Sequence, residues 1–451
     1  AQYQLDDILH AQATPDISGS QKQQQKQQQQ QQQKQQLELV AAVQTGDCRW
    51  RLQQIQLTGL SDCSSLLALL TPQLEAAAGR HRRPRSLLVF VNPVSGGGGA
   101  VRLCDRLLRP ALRQCRVAAR RLTALLGRRR GDGILSELFH GLLLRKRLDE
   151  GLTAHTVDDP ELRPDHTIGI VPAGSTDTVV HSINGTSDAL TAIVQIILGR
   201  RVAMDMASVY SDSGQFLTYN ISLLGYGYFG EVARSSEPLR WMGPARYDLV
   251  GAHRLLNLRS HALEISFLEA DGRCHAVCTR DCSVCSSDAL AECAPEAKEQ
   301  QRRQLRTVTG RFVAVNSFLM PCRSTKSAAG AVPFAHLGDG CTDLVLVRDC
   351  SKAEFLRHLY RVSSCPVRLS TAAAGASAID DSLPPPPPTP PAPVEPQFQL
   401  DCVQCASFPC AFWTIRPGPC GTATGEVLRQ AGLAVRVHRQ LLQLFGCHVT
   451  L

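Results

Sequence analysis

No window of the 451-residue sequence approaches the ~18 uninterrupted apolar residues of a membrane-spanning helix. A helical span is excluded, leaving a soluble chain or one that visits a membrane surface. The N-terminus carries no basic, apolar and small-residue leader, so the 18 cysteines are expected as thiols in a reducing compartment and not as a disulfide framework. That places the chain in the cytoplasm. Neither sign of charge dominates, since 48 Lys and Arg face 40 Asp and Glu for a net +8. This excess suits phosphate-bearing ligands or anionic lipid and gives no argument for nucleic acid, which is not expected as a partner. What is present is ordinary globular material, 43% hydrophobic and 20% charged, long enough for two or three domains.

Residues 21–36 are glutamine interrupted only by Lys22, Lys26 and Lys34, a composition with nothing to bury. Residues 1–45 are therefore expected as a disordered tail. The proline run Pro384 to Pro388, continued by Pro390, Pro391 and Pro393, marks a spacer or disordered insertion at about 370–400. Between these breaks, residues 86–201 alternate short apolar runs with helical spacing. The pattern predicts strands at 87–91 and 168–171 and helices at 100–112, 134–144 and 188–198, an α/β layer with a largely parallel sheet. From 202 to the end the text becomes strand-rich, with period-2 stretches at 202–209, 216–223, 263–268, 312–315 and 344–347. An antiparallel β domain is expected there, with one helix after Ser351, which forms a capping box with Glu354.

Three loops in the α/β part could carry chemistry. Asn92-Pro93-Val94-Ser95 and the glycines 96–99 lie after a strand and before a helix, where backbone amides and the helix N-terminus favour phosphate. Neither a Walker A loop nor G-x-G-x-x-G is met there. Gly131-Asp132-Gly133 leaves a carboxylate uncovered at a helix start, able to meet a substrate hydroxyl or a metal-bound phosphate, although a plain helix cap has the same look. Glu137 stands one turn further on. The Gly174-Ser175-Thr176 turn follows the predicted strand 168–171, at the carboxyl end where open α/β sheets bind ligands.

Taken in order, NPVSGGGG, GDG with Glu137, and IGIVPAGSTDT resemble the diacylglycerol kinase-like catalytic domain shared by sphingosine and ceramide kinases. PAGSTD, SLLGYGYFGE at 222–231, RWMGPARYD at 240–248, HLGDG at 336–340 and GEVL at 425–428 bring it nearest to the ceramide kinases. The resemblance implies an NAD-kinase-like α/β nucleotide-binding domain at 86–201 and an antiparallel β-sandwich domain at 202–451. It also implies a truncated pleckstrin-homology remnant at 46–80, carried by CRWRLQQIQLTGL and the helical stretch after it. The implied reaction is ATP-dependent, Mg²⁺-assisted phosphorylation of the primary hydroxyl of ceramide at a membrane surface. In it Asp132 would be the general base, with Gly131 and Gly133 beside the substrate. Asn92, Pro93, Val94, Glu137, Gly174, Ser175 and Thr176 would line the nucleotide. Arg240 and Arg246 would reach the phosphates, and Gly425 with Glu426 would complete the site. A catalytically silent lipid-binding relative, or a kinase for sphingosine or diacylglycerol, is the alternative.

The chain departs from the family between Gly99 and Gly131, where ~31 residues cannot hold two helices and two strands of ordinary length. At least one strand fewer is expected in the first sheet. Arg130 replaces the first glycine of the family's GGDG, and Thr424 stands where the family has Asp. Cys278, Cys282 and Cys285 form C-x3-C-x2-C with Cys274 upstream, but paired C-x2-C spacing and a matching His pair are absent, so no metal ligand is assigned and the motif is read as a family marker. Cys402, Cys405, Cys410 and Cys420 lie in text of irregular composition and read as incidental. His81 to Arg85 (HRRPR) reads as a solvated basic linker.

Overall fold

The computed structural model describes residues 4–15, 35–46, 48–58, 60, 62–93, 98–123, 132–152, 162–174, 177–243, 245–269, 277–286, 305–325, 327–364, 405–417 and 432–447. The first unit is an antiparallel sheet of β1 (Ile8–Pro15), β2 (Gln35–Gly46) and β3 (Arg49–Leu57), followed by helix α1 (Cys63–Arg80). The expected structureless tail is thus corrected at both ends of the glutamine tract. Ala11 and Ala13 alternate on one face with Leu37 and Leu39, and α1 covers that face with Leu66, Leu67 and Leu70. The basic stretch after α1 is also corrected: Arg83 is not a solvated linker residue but donates to the carbonyls of Asp6 and Ile8.

The second unit is a βαβ crossover. β4 (Ser86–Val91) leads into α2 (Gly99–Leu103), a π turn (Cys104–Leu108) and α3 (Arg109–Gln114), then into β5 (Ala118–Thr123), which pairs with β4 in parallel. Among the described residues this parallel sheet has two strands, in line with the shortened text. The sequence pattern did not predict β5; its Arg121 is accommodated by Asp105 at 3.2 Å. Three helices follow: α4 (Asp132–Asp149), α5 (Thr178–Asn184) and α6 (Ala189–Leu198). The segment 168–171 does not join β4 as expected. Ile168 forms a parallel bridge to Leu444, and Gly169 lies so close to α6 that an added Cβ would come within 2.5 Å of Ile196. Asp188 caps α6 through the Thr191 amide at 2.8 Å and also pairs with Arg51 at 2.6 Å, tying the first unit to the second.

The third unit is wholly antiparallel and contains β6 (Arg201–Ser211), β7 (Phe216–Asn220), β8 (Leu223–Gly227), α7 (Tyr228–Ser236) and a 3-10 turn (Glu237–Met242). It continues through α8 (Ala245–Leu256), β9 (His261–Glu269), α9 (Ser283–Ser286), β10 (Arg306–Phe318), β11 (Thr342–Arg348), α10 (Lys352–Ser364), β12 (Cys405–Pro417) and β13 (Leu433–Phe445). The single strand expected at 216–223 is broken at Ile221 and Ser222, so β8 leaves β7 and pairs with β10. β10 pairs with β9 through its first half and with β8 and β11 through its second, while β12 passes from β11 to β9 and β13. Long strands that change partners part-way curve this one antiparallel sheet around a core. Its filling is Phe267, Phe312, Val315, Leu344, Trp413, Ile415 and Val435. β12 corrects the reading of 402–420 as irregular: Trp413 is buried and donates to Ser317 Oγ at 3.2 Å. The capping box forms as expected, with Ser351 N–H donating to Glu354 at 2.9 Å and Glu354 N–H to Ser351 Oγ at 3.3 Å.

Candidate active site

β4 and β5 lie in parallel register with Val91 opposite Thr123, so the chain leaving Val91 for Asn92 and the chain leaving Thr123 toward Asp132 depart from the same sheet edge. That is the carboxyl edge, where open α/β sheets bind ligands. Asn92 is buried at the edge and Pro93 half-buried, while Val94 lies outside the described residues. Gly98 opens the following helix at φ +85°, a left-handed conformation that suits glycine. Asp132 is the first residue of α4; its side chain, those of Gly133 and Ile134, and Gly131 itself lie outside the described residues. Glu137 is half-buried one turn along the helix.

The third turn comes next to the first through packing. Val171, at the end of 168–171, joins the cluster of Val91, Leu108, Leu112, Ile193 and Ile197, whereas Ile168 and Ile170 join the cluster under α4. The segment therefore lies between the two cores and delivers Gly174 past the sheet edge. Asp177 Oδ1 accepts the Gly174 N–H at 2.9 Å, and Asp177 itself has φ +46°. Burial raises the Asp177 carboxyl above its ordinary pKa, opposed by that hydrogen bond. Ser175 and Thr176 lie outside the described residues.

Arg240 sits in the 3-10 turn after α7, with its side chain outside the described residues; Gly425 and Glu426 lie outside them altogether. Arg246, on α8, stacks on the Tyr247 ring at 4.5 Å and donates from Nη2 to its hydroxyl at 2.5 Å. Its Nε is buried with no hydrogen-bond partner among the described residues, a donor that an anionic oxygen would satisfy. Two further groups escaped the motif reading. Arg323 is 5% exposed, takes the Ser182 hydroxyl of α5 with its backbone N–H at 3.0 Å, and has an unpartnered Nε among the described residues. His181, on the same helix, is held below its ordinary pKa by burial and by the Arg323 charge. Nothing in the spacing of 321–325 marks Arg323 as part of this region; only the fold brings it to α5.

α4 is anchored on the far side by the third unit. Leu135, Phe139 and Leu143 pack with Val179, Ile183, Met204, Met206, Leu442 and Leu444. The helix that begins with Asp132 is thus positioned by the third unit, most directly by β7, where His140 meets the rings of Phe216 and Tyr219.

Two family models match this arrangement. The diacylglycerol kinase catalytic domain matches residues 115–209, which include Asp132, Glu137 and the 174–176 turn. The ceramide kinase C-terminal domain matches residues 222–381, which include Arg240, Arg246 and the cysteine motif. Human ceramide kinase is 33% identical over 351 residues, covering 69% of this chain and 64% of the human protein. The chain is thus similar to ceramide kinases across its catalytic and C-terminal parts. Ceramide kinase of Oryza sativa subsp. japonica is 33% identical over 231 residues, 43% of this chain and 38% of the plant protein, and human ceramide kinase-like protein is 30% identical over 237 residues, 52% of this chain and 39% of that relative. The chain spans about 64% of the length of the human relative. A solved putative diacylglycerol kinase from Bacillus anthracis str. Sterne overlays with a TM-score of 0.49 at 12% identity, covering 80% of this chain and 95% of that one. No described helix of this chain is long and apolar enough to cross a membrane.

Proposed function

We propose that this chain transfers the γ-phosphoryl group of ATP to the primary hydroxyl of ceramide. The observation that carries the reading is the parallel register of Val91 with Thr123, which sends the Asn92 turn and the approach to Asp132 off one sheet edge. Phosphoryl transfer asks for alignment and charge neutralisation above all. Asn92, Pro93, Val94 and the Gly174-Ser175-Thr176 turn cradle the nucleotide, with Glu137 beside it. Arg240 and Arg246 neutralise the phosphates, and the unpartnered Nε of Arg246 supports that role. Gly425 and Glu426 close the site. Mg²⁺, when bound, would neutralise phosphate charge, and Asp132 and Glu137, as carboxylates, offer the hard oxygen ligands such an ion takes. Asp132, flanked by Gly131 and Gly133, takes the hydroxyl proton as the ceramide oxygen bonds to the γ-phosphorus; the bond to the β-phosphate oxygen breaks, and ADP leaves with that electron pair.

Ceramide reaches the site from a membrane surface, with the protein cytoplasmic and bound peripherally. Trp241, Leu249, Leu256, Leu356 and Tyr360 support this, being strongly exposed on the 3-10 turn, α8 and α10, the elements that carry Arg240 and Arg246 or pack on them. The three-stranded sheet with α1 is read as the closing part of a pleckstrin-homology module. A catalytically silent lipid-binding protein is the second reading, favoured by the two-stranded parallel sheet among the described residues. Labelled ATP offered with ceramide, sphingosine and diacylglycerol in competition separates these readings. The expected result is mainly ceramide 1-phosphate; equal or better use of the other lipids would reassign the substrate, and a folded chain yielding no lipid product would support the silent reading.

A further inference from the structure

Cys278, Cys282 and Cys285 are joined in the fold by His336, from the turn that precedes β11, and the four ligand atoms lie within 4.8 Å of one another. Cys278 Sγ is 3.6 Å from Cys285 Sγ, and His336 Nδ1 is 3.3 Å from Cys282 Sγ and 3.9 Å from Cys285 Sγ. A tetrahedral zinc ion with Zn–S ~2.3 Å and Zn–N ~2.0–2.1 Å holds its donor atoms roughly 3.5–3.8 Å apart, whereas a disulfide needs its sulfurs at ~2.05 Å. Three of the observed spacings lie close to this range, and the Cys278–Cys285 separation is far too long for a disulfide. We propose that Cys278, Cys282, Cys285 and His336 form a structural zinc site.

Four protein donors complete a tetrahedron and leave no position for substrate or water, which is the mark of a structural site as opposed to a catalytic one. The surroundings are built to hold both ligand segments. The Cys285 carbonyl accepts from Gln440 Nε2 at 2.6 Å and from Arg439 Nη2 at 3.0 Å, and the same Gln440 amide donates to the Gly338 carbonyl at 3.0 Å. Gln440 stands at φ +49° in an irregularity of β13 between His438 and Leu442, so the strand bends to present this side chain. Asp205, fully buried on β6, accepts the N–H groups of Gln440 and Gly340, each at 2.7 Å, while its own N–H donates to the Leu337 carbonyl at 2.7 Å. The cysteine segment and the His336 turn are therefore clamped to one place on β6 and β13.

Charge and location fit the same ion. Three thiolates and a neutral imidazole around a dication leave one negative charge, and the Arg439 guanidinium on the Cys285 carbonyl faces it. Cys278 and His336 are each 4% exposed, so the ion would be shielded from solvent and chelators on at least two sides. Cys278 belongs to the cluster that contains Leu135, Phe139 and Leu143 of α4 and Val179 and Ile183 of α5, with Cys282 and Cys285 packed against it. Bound zinc would therefore fasten two loops of the third unit against the back of α4, whose first residue is Asp132. This holds whether or not the chain transfers phosphate, because the site touches no proposed substrate group.

Metal analysis of the full chain, purified under reducing conditions without chelator, tests the proposal directly. About one zinc per chain is expected, falling at least tenfold in Cys282→Ser and in His336→Ala and remaining in Cys350→Ser, whose thiol lies outside the cluster. Replacement by Co²⁺ in the unaltered chain should give the ligand-field and thiolate-to-metal bands of a tetrahedral site with sulfur donors, a readout that does not depend on any variant folding. Three results would overturn the proposal: a folded chain that takes up neither zinc nor cobalt with its thiols free to alkylation, a native Cys278–Cys285 disulfide, or zinc retained in full by both Cys282→Ser and His336→Ala.

Discussion

Strand β4 leaves Leu88 52% exposed and Phe90 40% exposed, whereas along β6 every residue from Met204 to Ser211 is buried. Parallel sheets are ordinarily covered on both faces, and among the described residues α2, α3 and α6 cover one of them here. The antiparallel unit is filled between its own strands and flanked by helices, with α4 and α5 packed on one side and α7 and α10 on another. The turns suited to phosphate chemistry thus stand at the edge of a thin sheet, while the helix that begins with Asp132 is held by the thick one. On the proposed function, chemistry and stability divide between the two units, and each can be perturbed separately.

Phe139, fully buried beneath α4, should show the larger share of that support. Phe139→Ala should lower unfolding free energy by about 3–5 kcal/mol in a denaturant titration. A loss near 1 kcal/mol would mean that α4 does not depend on the third unit. Arg246→Ala should weaken ATP binding by roughly tenfold to a hundredfold, the effect of about 1.5–3 kcal/mol for hydrogen bonds to a charged group, with little change in the melting temperature. Unchanged ATP affinity would confine α8 to a structural role. Gly227 adopts φ +76°, and a Cβ there would come within 2.3 Å of the Val313 carbonyl oxygen. Gly227→Ala should therefore destabilise the β8–β10 pairing by more than about 1 kcal/mol, read by thermal unfolding. At the small end, Phe90→Ser should lower stability by no more than about 1 kcal/mol, since Phe90 is 40% exposed where Phe139 is fully buried. A cost of about 2 kcal/mol or more would show that the open face of β4 is covered in solution.

The same contrast explains what could be read from the sequence. β6, β9 and β11 were legible because their apolar residues recur at strand spacing and fill the core of the antiparallel sheet, and the helix after Ser351 because its capping box is local. The candidate turns at 92–99 and 172–176 could be proposed because glycines follow apolar runs, a local pattern that requires no knowledge of partners. β5 was not legible, since Ala119, Arg120 and Arg121 give no apolar alternation and the strand exists through its pairing with β4 and the Arg121–Asp105 contact. β12 hid in the text CASFPCAFWTIRP, whose cysteines and prolines mask a central strand that pairs with β9, β11 and β13. β1 was obscured by the neighbouring glutamines. His336 stands 51 positions from Cys285, and no local spacing connects them. Arg323 likewise gains its meaning only where β10 ends beside α5.

The central claim is that Asp132, presented at the start of a helix anchored by the antiparallel unit, acts as the base in phosphoryl transfer. Its most direct test is Asp132→Asn, measured in parallel for lipid product from labelled ATP and for ATP affinity. The account predicts a fall in turnover of about a hundredfold to ten-thousandfold with ATP affinity retained within a few-fold. Product formed at the unaltered chain's rate by the Asp132→Asn protein would contradict it.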